Sequence, residues 1–295
     1  MFGFSQTTSS IPTTALESVL GKDVNLDGDT SDTVYLISSL SELLWITENV
    51  RDNGSAWSQQ KVFLQIADID ASETEYWDDD GGYDDPNDAT AAGNNEGWLP
   101  IGLGTTKGFE GFYNGDYHRI LNLHIKRNIT DDIGFISKMN SPVGSVGVVR
   151  FGIIGGDFTV LGNSANNIGG VMGKYYNPST GTKFDQVFFE GRIENQSTSG
   201  YVGGLVGYFY AGSNQGTIKN SYANVDIFGG GGVIGGLFGR QSSGFSENVY
   251  ARGSFDPNGD SLYDFGGLVG QSDPNTFDYK IEYGYSAFEI NNASS

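Results

Sequence analysis

The sequence predicts an all-β fold, a β-solenoid of short stacked coils, and three observations carry that reading. Glycine supplies 45 of 295 residues, about 15% and roughly twice the usual share, and glycine inside helices is costly. Glycine-rich units recur: IGFIS (133–137), IGGVMG (168–173), VGGLVG (202–207), IGGLFG (234–239) and FGGLVG (265–270). Counted from Gly134, Gly169, Gly203, Gly235 and Gly266, the steps are 35, 34, 32 and 31 residues. Units this short cannot bury a core alone. Stacked units can, each pairing with the next as parallel strands.

The third observation is a second column of residues upstream of the glycines. QVFFEGRI (186–193), NSYANVDI (220–227) and NVYARGSF (248–255) align without a gap. They give an amide column (Gln186, Asn220, Asn248), an aromatic column (Phe188, Tyr222, Tyr250) and an apolar column (Ile193, Ile227, Phe255). The amides suit a side-chain ladder along the stack. In the last unit, IEYGYSAF (281–288), the same template puts Ile281 in the amide slot, Tyr283 in the aromatic slot and Phe288 in the apolar slot. Terminal repeats are often atypical. Glycine at fixed sites is expected to supply tight corners and positive φ. A propeller would need longer, four-stranded blades.

The N-terminal part reads differently. LISSLSELLWITENV (36–50) is an amphipathic helix candidate, with Ser39 or Ser41 as N-cap and Leu40, Leu43, Leu44 and Ile46 on one face. Residues 1–33 read as an arm and 34–295 as the solenoid, interrupted by an acidic insertion at 68–96.

These residues resemble the GLUG motif of bacterial surface and secreted proteins. VYLISSLSELLWI (34–46), VFLQIADID (62–70), GWLPIG (97–102) and GFEGFYNGDYHRILNLHI (108–125) are similar to the segment that precedes such repeats. The resemblance covers roughly 34–290 and implies a right-handed parallel β-helix in large extracellular proteins, often adhesins. Some bacterial immunoglobulin A proteases carry similar repeats beside a zinc protease domain. An H-E-x-x-H motif of that kind does not occur in this sequence.

Charge narrows the partners. Asp and Glu number 36 against 16 Lys and Arg, for a net charge of -20. That disfavours nucleic acid and anionic membranes. No apolar run is long enough to span a bilayer. The first 20 residues contain no Lys or Arg and no continuous apolar run, so no signal peptide is read there. With Cys 0, disulfides and thiolate chemistry are excluded. An exported chain without disulfides needs other staples, and the acidic excess points to Ca2+.

Two stretches have the ligands for it. DVNLDGDTSD (23–32) places Asp23, Asn25 and Asp27 at alternate positions, then Gly28 and Asp29, like the first half of a calcium loop. Position 12 is Val34 rather than Glu, which leaves Asp32 to complete the set. The 68–96 insertion holds 11 acidic residues and no Lys, Arg or His. Tyr76, Trp77, Tyr83 and Trp98 are interleaved, which argues for a folded insertion around calcium. Its candidate ligands are Asp78, Asp79, Asp80, Asp84, Asp85 and Asp88.

Catalytic signals are thin. His118 and His124 have no third partner for a zinc site. Tyr175, Tyr176, Tyr208 and Tyr210 follow the glycine strands of adjacent units and are the candidate ligand-binding residues. The resulting expectation is a calcium-stabilised, secreted or cell-surface adhesion or recognition module. It is expected to be no enzyme, monomeric within a longer chain, and to bind a glycan or peptide. A β-helix polysaccharide lyase or glycosidase and a purely structural spacer are the alternatives.

Overall fold

The glycine units stack in register. In the computed structural model, which describes residues 7–77, 95–128, 132–140, 146–161, 167–176, 183–197, 199–212, 216–229, 232–257, 264–273 and 279–291, they build a parallel β-solenoid. Each coil contributes to three sheets. Short strands at Asn167–Gly169, Tyr201–Gly203, Val233–Gly235 and Asp264–Gly266 form the glycine sheet. A second sheet, on the far side of the glycine corner, runs through Ile136–Met139, Met172–Tyr176, Val206–Tyr210, Phe238–Gln241 and Val269–Ser272. The third and longest contains Gly147–Val160, Lys183–Asn195, Tyr222–Phe228, Gly244–Asp256 and Tyr279–Ile290.

The register is the one the repeats predict. Gly169 pairs with Gly203, Gly203 with Gly235, and Gly235 with Gly266, all in parallel. A bridge from Ile133 to Ile168 extends the column by one coil. Inside, Ile168, Val202, Ile234, Leu205, Leu237, Phe189 and Phe209 are fully buried.

The glycine corners work by close approach rather than by positive φ, which corrects the sequence expectation. A Cβ on Gly203 would lie 2.1 Å from the Val206 carbonyl oxygen and 2.6 Å from the Gly239 nitrogen. Its φ is in the ordinary range. Positive φ falls instead on the amide column: Gln186 (58°), Asn220 (48°) and Asn248 (52°), with Arg150 (49°) in the coil before. Asn tolerates the left-handed region better than most residues because its short side chain bonds locally. Part of the expected ladder forms. Asn248 Nδ2 donates to Asn220 Oδ1 at 3.0 Å, and Asn220 Nδ2 turns to Asp185 Oδ1 at 2.7 Å.

The last repeat is shifted by two residues from the sequence alignment. Tyr250 pairs with Tyr285 and Phe255 with Ile290. Tyr283, with φ 54°, therefore takes the amide slot rather than the aromatic one. The aromatic column is Phe188, Tyr222, Tyr250 and Tyr285, stacked at 4.9, 4.6 and 5.1 Å with ring planes within 7° of parallel.

At the N-terminal end, Thr33–Ile37, Val62–Gln65 and Phe112–Asn114 continue the long sheet in parallel. Thr13–Leu16 then closes its edge antiparallel to Thr33–Leu36. The helix spans Leu40–Asn53, a few residues later than the sequence suggests, because Tyr35, Leu36 and Ile37 are strand. Ser39 is its N-cap, accepting from the Glu42 nitrogen at 3.4 Å, while the Glu42 carboxylate accepts from Ser38 N at 2.7 Å. Leu40, Leu43, Leu44 and Ile46 are buried, as the periodicity predicts, and Trp45 packs on Tyr35 and Trp57. No helix among the described residues is long and apolar enough to cross a membrane.

Two substitutions separate the backbone requirements. Gly203→Ala should cost about 2 kcal/mol or more, because backbone atoms occupy the Cβ position. Asn248→Gly should stay within about 0.5 kcal/mol, since glycine reaches positive φ freely. Urea denaturation of both variants checks the pair; equal losses would contradict the assignment of close approach to one site and positive φ to the other.

Candidate functional site

Strand alternation sorts the candidate tyrosines. In Met172–Tyr176 and Val206–Tyr210 the pairs are Lys174 with Tyr208, Tyr175 with Phe209, and Tyr176 with Tyr210. The middle pair points inward. Tyr175 is fully buried, 5.3 Å from the Phe209 ring and 5.9 Å from Phe184. It is a core residue, which corrects its place among the ligand-binding candidates. The signal was present in the sequence: KYY aligns with YFY, and a Phe in the central position marks the inner face.

Tyr176, Tyr208 and Tyr210 gather on the outer face, and the structure adds three residues to them. Tyr176 and Tyr210 stack at 4.8 Å. Lys174 Nζ lies over Tyr176 at 4.8 Å and over Tyr208 at 5.6 Å. The Arg240 guanidinium lies over Tyr201 at 5.1 Å and over Tyr208 at 5.3 Å. The order across the face is therefore Tyr210, Tyr176, Lys174, Tyr208, Arg240, Tyr201, with rings and cations alternating after the first pair. Each cation over a ring face contributes about 0.5–2 kcal/mol depending on its desolvation. Arg240 also donates to the Tyr201 hydroxyl at 2.7 Å and to Asp273 Oδ2 at 2.9 Å. Burial alone would lower its pKa; Tyr201, Tyr208 and Asp273 outweigh that and hold it firmly charged. Lys138 pairs with Lys174 in the neighbouring coil, so the cationic row begins one coil earlier. Tyr201, Lys174 and Arg240 were missed because no single repeat shows them together. Only the register does.

A second feature lies on the long sheet. Gly155, Gly156 and Gly191 floor a shallow groove of about 490 Å³ whose other lining residues include Asp157, Glu190, Arg192, Asn224 and Asp226. Arg192 pairs with Asp157 at 3.3 Å and with Glu194. Glu190 accepts from the Tyr222 hydroxyl at 2.7 Å. Carboxylates and a basic residue thus converge across three coils.

The N-terminal acidic loop folds as a nest of turns. Asp23 accepts from the nitrogens of Asp27 (3.1 Å) and Gly28 (3.0 Å), and Asp27 from that of Asp29 (3.0 Å). Asn25 Nδ2 bridges Asp27 and Asp32 at 2.9 and 2.7 Å. The loop binds the solenoid flank: Asn114 Nδ2 donates to the Val24 carbonyl at 2.8 Å, Lys22 pairs with Asp116, and Lys183 donates to the Leu26 carbonyl. The other predicted metal ligands, Asp78, Asp79, Asp80, Asp84, Asp85 and Asp88, lie outside the described residues. The flanks of that insertion are anchored by buried Trp77 and Trp98, 6.1 Å apart. His118 and His124 do not converge on one site; each faces its own carboxylate, Asp68 at 3.3 Å and Asp157 at 3.9 Å.

No family model matches the sequence, and no curated protein matches it. Among solved structures, the chain is similar to a putative immunoglobulin A1 protease from Bacteroides ovatus. The TM-score is 0.57 at 21% identity, covering 87% of this chain and 66% of that one. This chain thus spans just under two thirds of its neighbour's length, and the likeness is one of fold. It corrects the expectation that the chain is no enzyme: the same architecture occurs in a protein named as a protease, so solenoid repeats do not argue against enzymatic activity.

The inward and outward tyrosines should respond differently to truncation. Tyr175→Ala should cost about 3 kcal/mol or more by opening a core cavity, and Tyr176→Ala about 1 kcal/mol or less. Chemical denaturation of the two variants measures the contrast, and similar losses would refute the facing assigned here.

Proposed function

We propose that the chain is an extracellular recognition module of a longer bacterial surface protein of the GLUG-repeat type, and that its cation–tyrosine face binds an acidic glycan. The observation that carries this reading is charge segregation. In a chain of net charge -20, Lys138, Lys174 and Arg240 fall on the outer face of one sheet, interleaved with Tyr176, Tyr201, Tyr208 and Tyr210. Guanidinium and ammonium groups pair with sugar carboxylates or sulfates. Tyrosine hydroxyls and ring edges supply further contacts to hydroxyls and C–H groups. Such a module serves an adhesin directly, and it serves an enzyme by holding its substrate.

A glycan array containing uronate, sialylated, sulfated and neutral oligosaccharides tests this. Binding should favour the acidic members, weaken with added salt, and fall at least tenfold in Arg240→Ala or Lys174→Ala. Preference for neutral sugars, or for acidic peptides on a parallel peptide array, would defeat it.

The glycine-floored groove supports a second reading, cleavage of a polysaccharide lying across Asp157, Glu190, Arg192 and Asp226. Incubation with acidic polysaccharides should then release reducing ends or unsaturated products, and Glu190→Gln should abolish the release while leaving the melting temperature nearly unchanged.

A further inference from the structure

We infer that Glu17, from the arm, completes a calcium site with Asp29 and Asp32, and that the ion clamps the arm onto the first coils of the solenoid. This site is independent of the cation–tyrosine face.

Topology creates the site. Leu16 pairs with Thr33 at the end of the antiparallel strand pair, and Glu17 N donates to the Asp32 carbonyl at 3.0 Å. Residues fifteen apart in sequence are thereby brought side by side, with the acidic loop enclosed between them. Carboxylate oxygens of Glu17, Asp29 and Asp32 lie within 4.8 Å of one another. Three carboxylates that close repel unless a proton or a cation lies among them.

Glu17 supplies the independent observation. It is fully buried. One oxygen, Oε1, accepts from Val24 N at 2.6 Å and Asn25 N at 3.3 Å. The other, Oε2, is buried without a hydrogen-bond partner. An unpartnered buried carboxylate oxygen is expensive, and native proteins resolve it with a proton, a cation or a charged donor. The basic residues beside the loop are engaged elsewhere: Lys183 donates to the backbone carbonyls of Asn25 and Leu26, and Lys22 pairs with Asp116. Glu17 is thus held through Oε1 by two backbone N–H groups, its Oε2 has no hydrogen-bond partner, and its carboxylate lies beside those of Asp29 and Asp32.

The chemistry selects the ion. The donors are all oxygen, they are acidic, and they sit on an irregular loop rather than a rigid octahedral frame, which suits calcium over magnesium or a transition metal. The D-x-N-x-D-G-D loop lacks a Glu at its twelfth position, where Val34 stands. Glu17 provides the missing carboxylate from upstream. Asn25 Nδ2, between Asp27 and Asp32, already carries partial positive charge into the loop.

The clamp has a mechanical purpose. The outer face of the first coils is apolar at Val34, Leu36, Val62 and Leu64, and arm residues Leu20 and Val24 cover it. Holding Glu17 to Asp29 and Asp32 fixes both ends of the segment that carries Leu20 and Val24.

Thermal melting in calcium and in EDTA tests the inference, together with terbium luminescence titration of the loop. Calcium at a hundredfold excess over its Kd should raise the melting temperature by on the order of 5 °C. Trypsin cleavage after Lys22 should be faster in EDTA. Glu17→Gln, which keeps the shape and both backbone hydrogen bonds, should lose the calcium shift while melting in EDTA no lower than the parent. Asp29→Asn, an exposed and nearly isosteric change that keeps an oxygen to accept from Ser31, should weaken terbium binding at least tenfold. Identical melting of the parent protein in calcium and EDTA would overturn the site. A calcium shift that survives in Glu17→Gln would overturn the role of Glu17.

Discussion

The close approach of backbones at the glycine corner is the constraint on which the rest of the structure depends. At Gly203 the carbonyl oxygens of Val206 and Leu237 and the nitrogen of Gly239 fill the space a side chain would need. Gly169 likewise meets the Met172 oxygen of its own coil and the Leu205 oxygen and Gly207 nitrogen of the next, and Gly235 the Phe238 oxygen and the Gly270 nitrogen. Coils can nest this tightly only if each has its glycines at the same place, and that locks the register of every other column. The connections between the strands differ in length from coil to coil, so the steps drift from 35 to 31 residues while the corners stay aligned.

Once register is fixed, each position of the repeat becomes a column, and the chemistry of a column is set by the approximately 4.8 Å spacing of parallel strands. Flat rings suit that spacing. Phe188, Tyr222, Tyr250 and Tyr285 stack nearly parallel because the repeat places a ring at one outward position in successive coils. Their faces cover one another, so the stack contributes cohesion and leaves mainly ring edges toward solvent. The face bearing Tyr176, Tyr208 and Arg240 differs because its columns mix rings with cations. Mixed columns leave polar tips outward, which is why the binding proposed above is assigned to this face rather than to the pure aromatic stack.

Much of this was legible in the sequence, because a solenoid writes its contacts at a fixed period. The glycine steps marked the coil length, the aligned blocks marked the columns, and Ser39 was one of the two N-caps expected for the helix. What escaped was information that needs a second dimension. Tyr175 and Tyr176 differ only in which face the pleat assigns them. The last repeat slipped by two because IEY and YGY both offer an aromatic at a plausible place. Positive φ falls on the amide column rather than on the glycine corners, because the corners close with ordinary φ whereas each long strand bends at a left-handed residue. Glu17 lay outside the loop pattern altogether and reaches it only through antiparallel pairing.

In-register stacking also explains where the acidic residues go. Identical carboxylates in adjacent coils would face one another at strand spacing, a destabilising arrangement. Most of the long-sheet columns avoid it by alternating sign or neutrality. Asp157, Arg192, Asp226 and Ser254 form one column, and Asp185, Lys219 and Glu247 another, with Lys219 paired to Glu247 at 2.8 Å. Glu247 opposite Glu282 is an exception, and there Lys280 pairs with Glu282. A chain with 36 acidic residues and 16 basic ones cannot balance every carboxylate this way. The surplus therefore collects where there is no repeat to obey, in the 23–32 loop and the 68–96 insertion. Concentrating it there costs repulsion, which is why the calcium site proposed above falls on an irregular segment rather than on the regular coils.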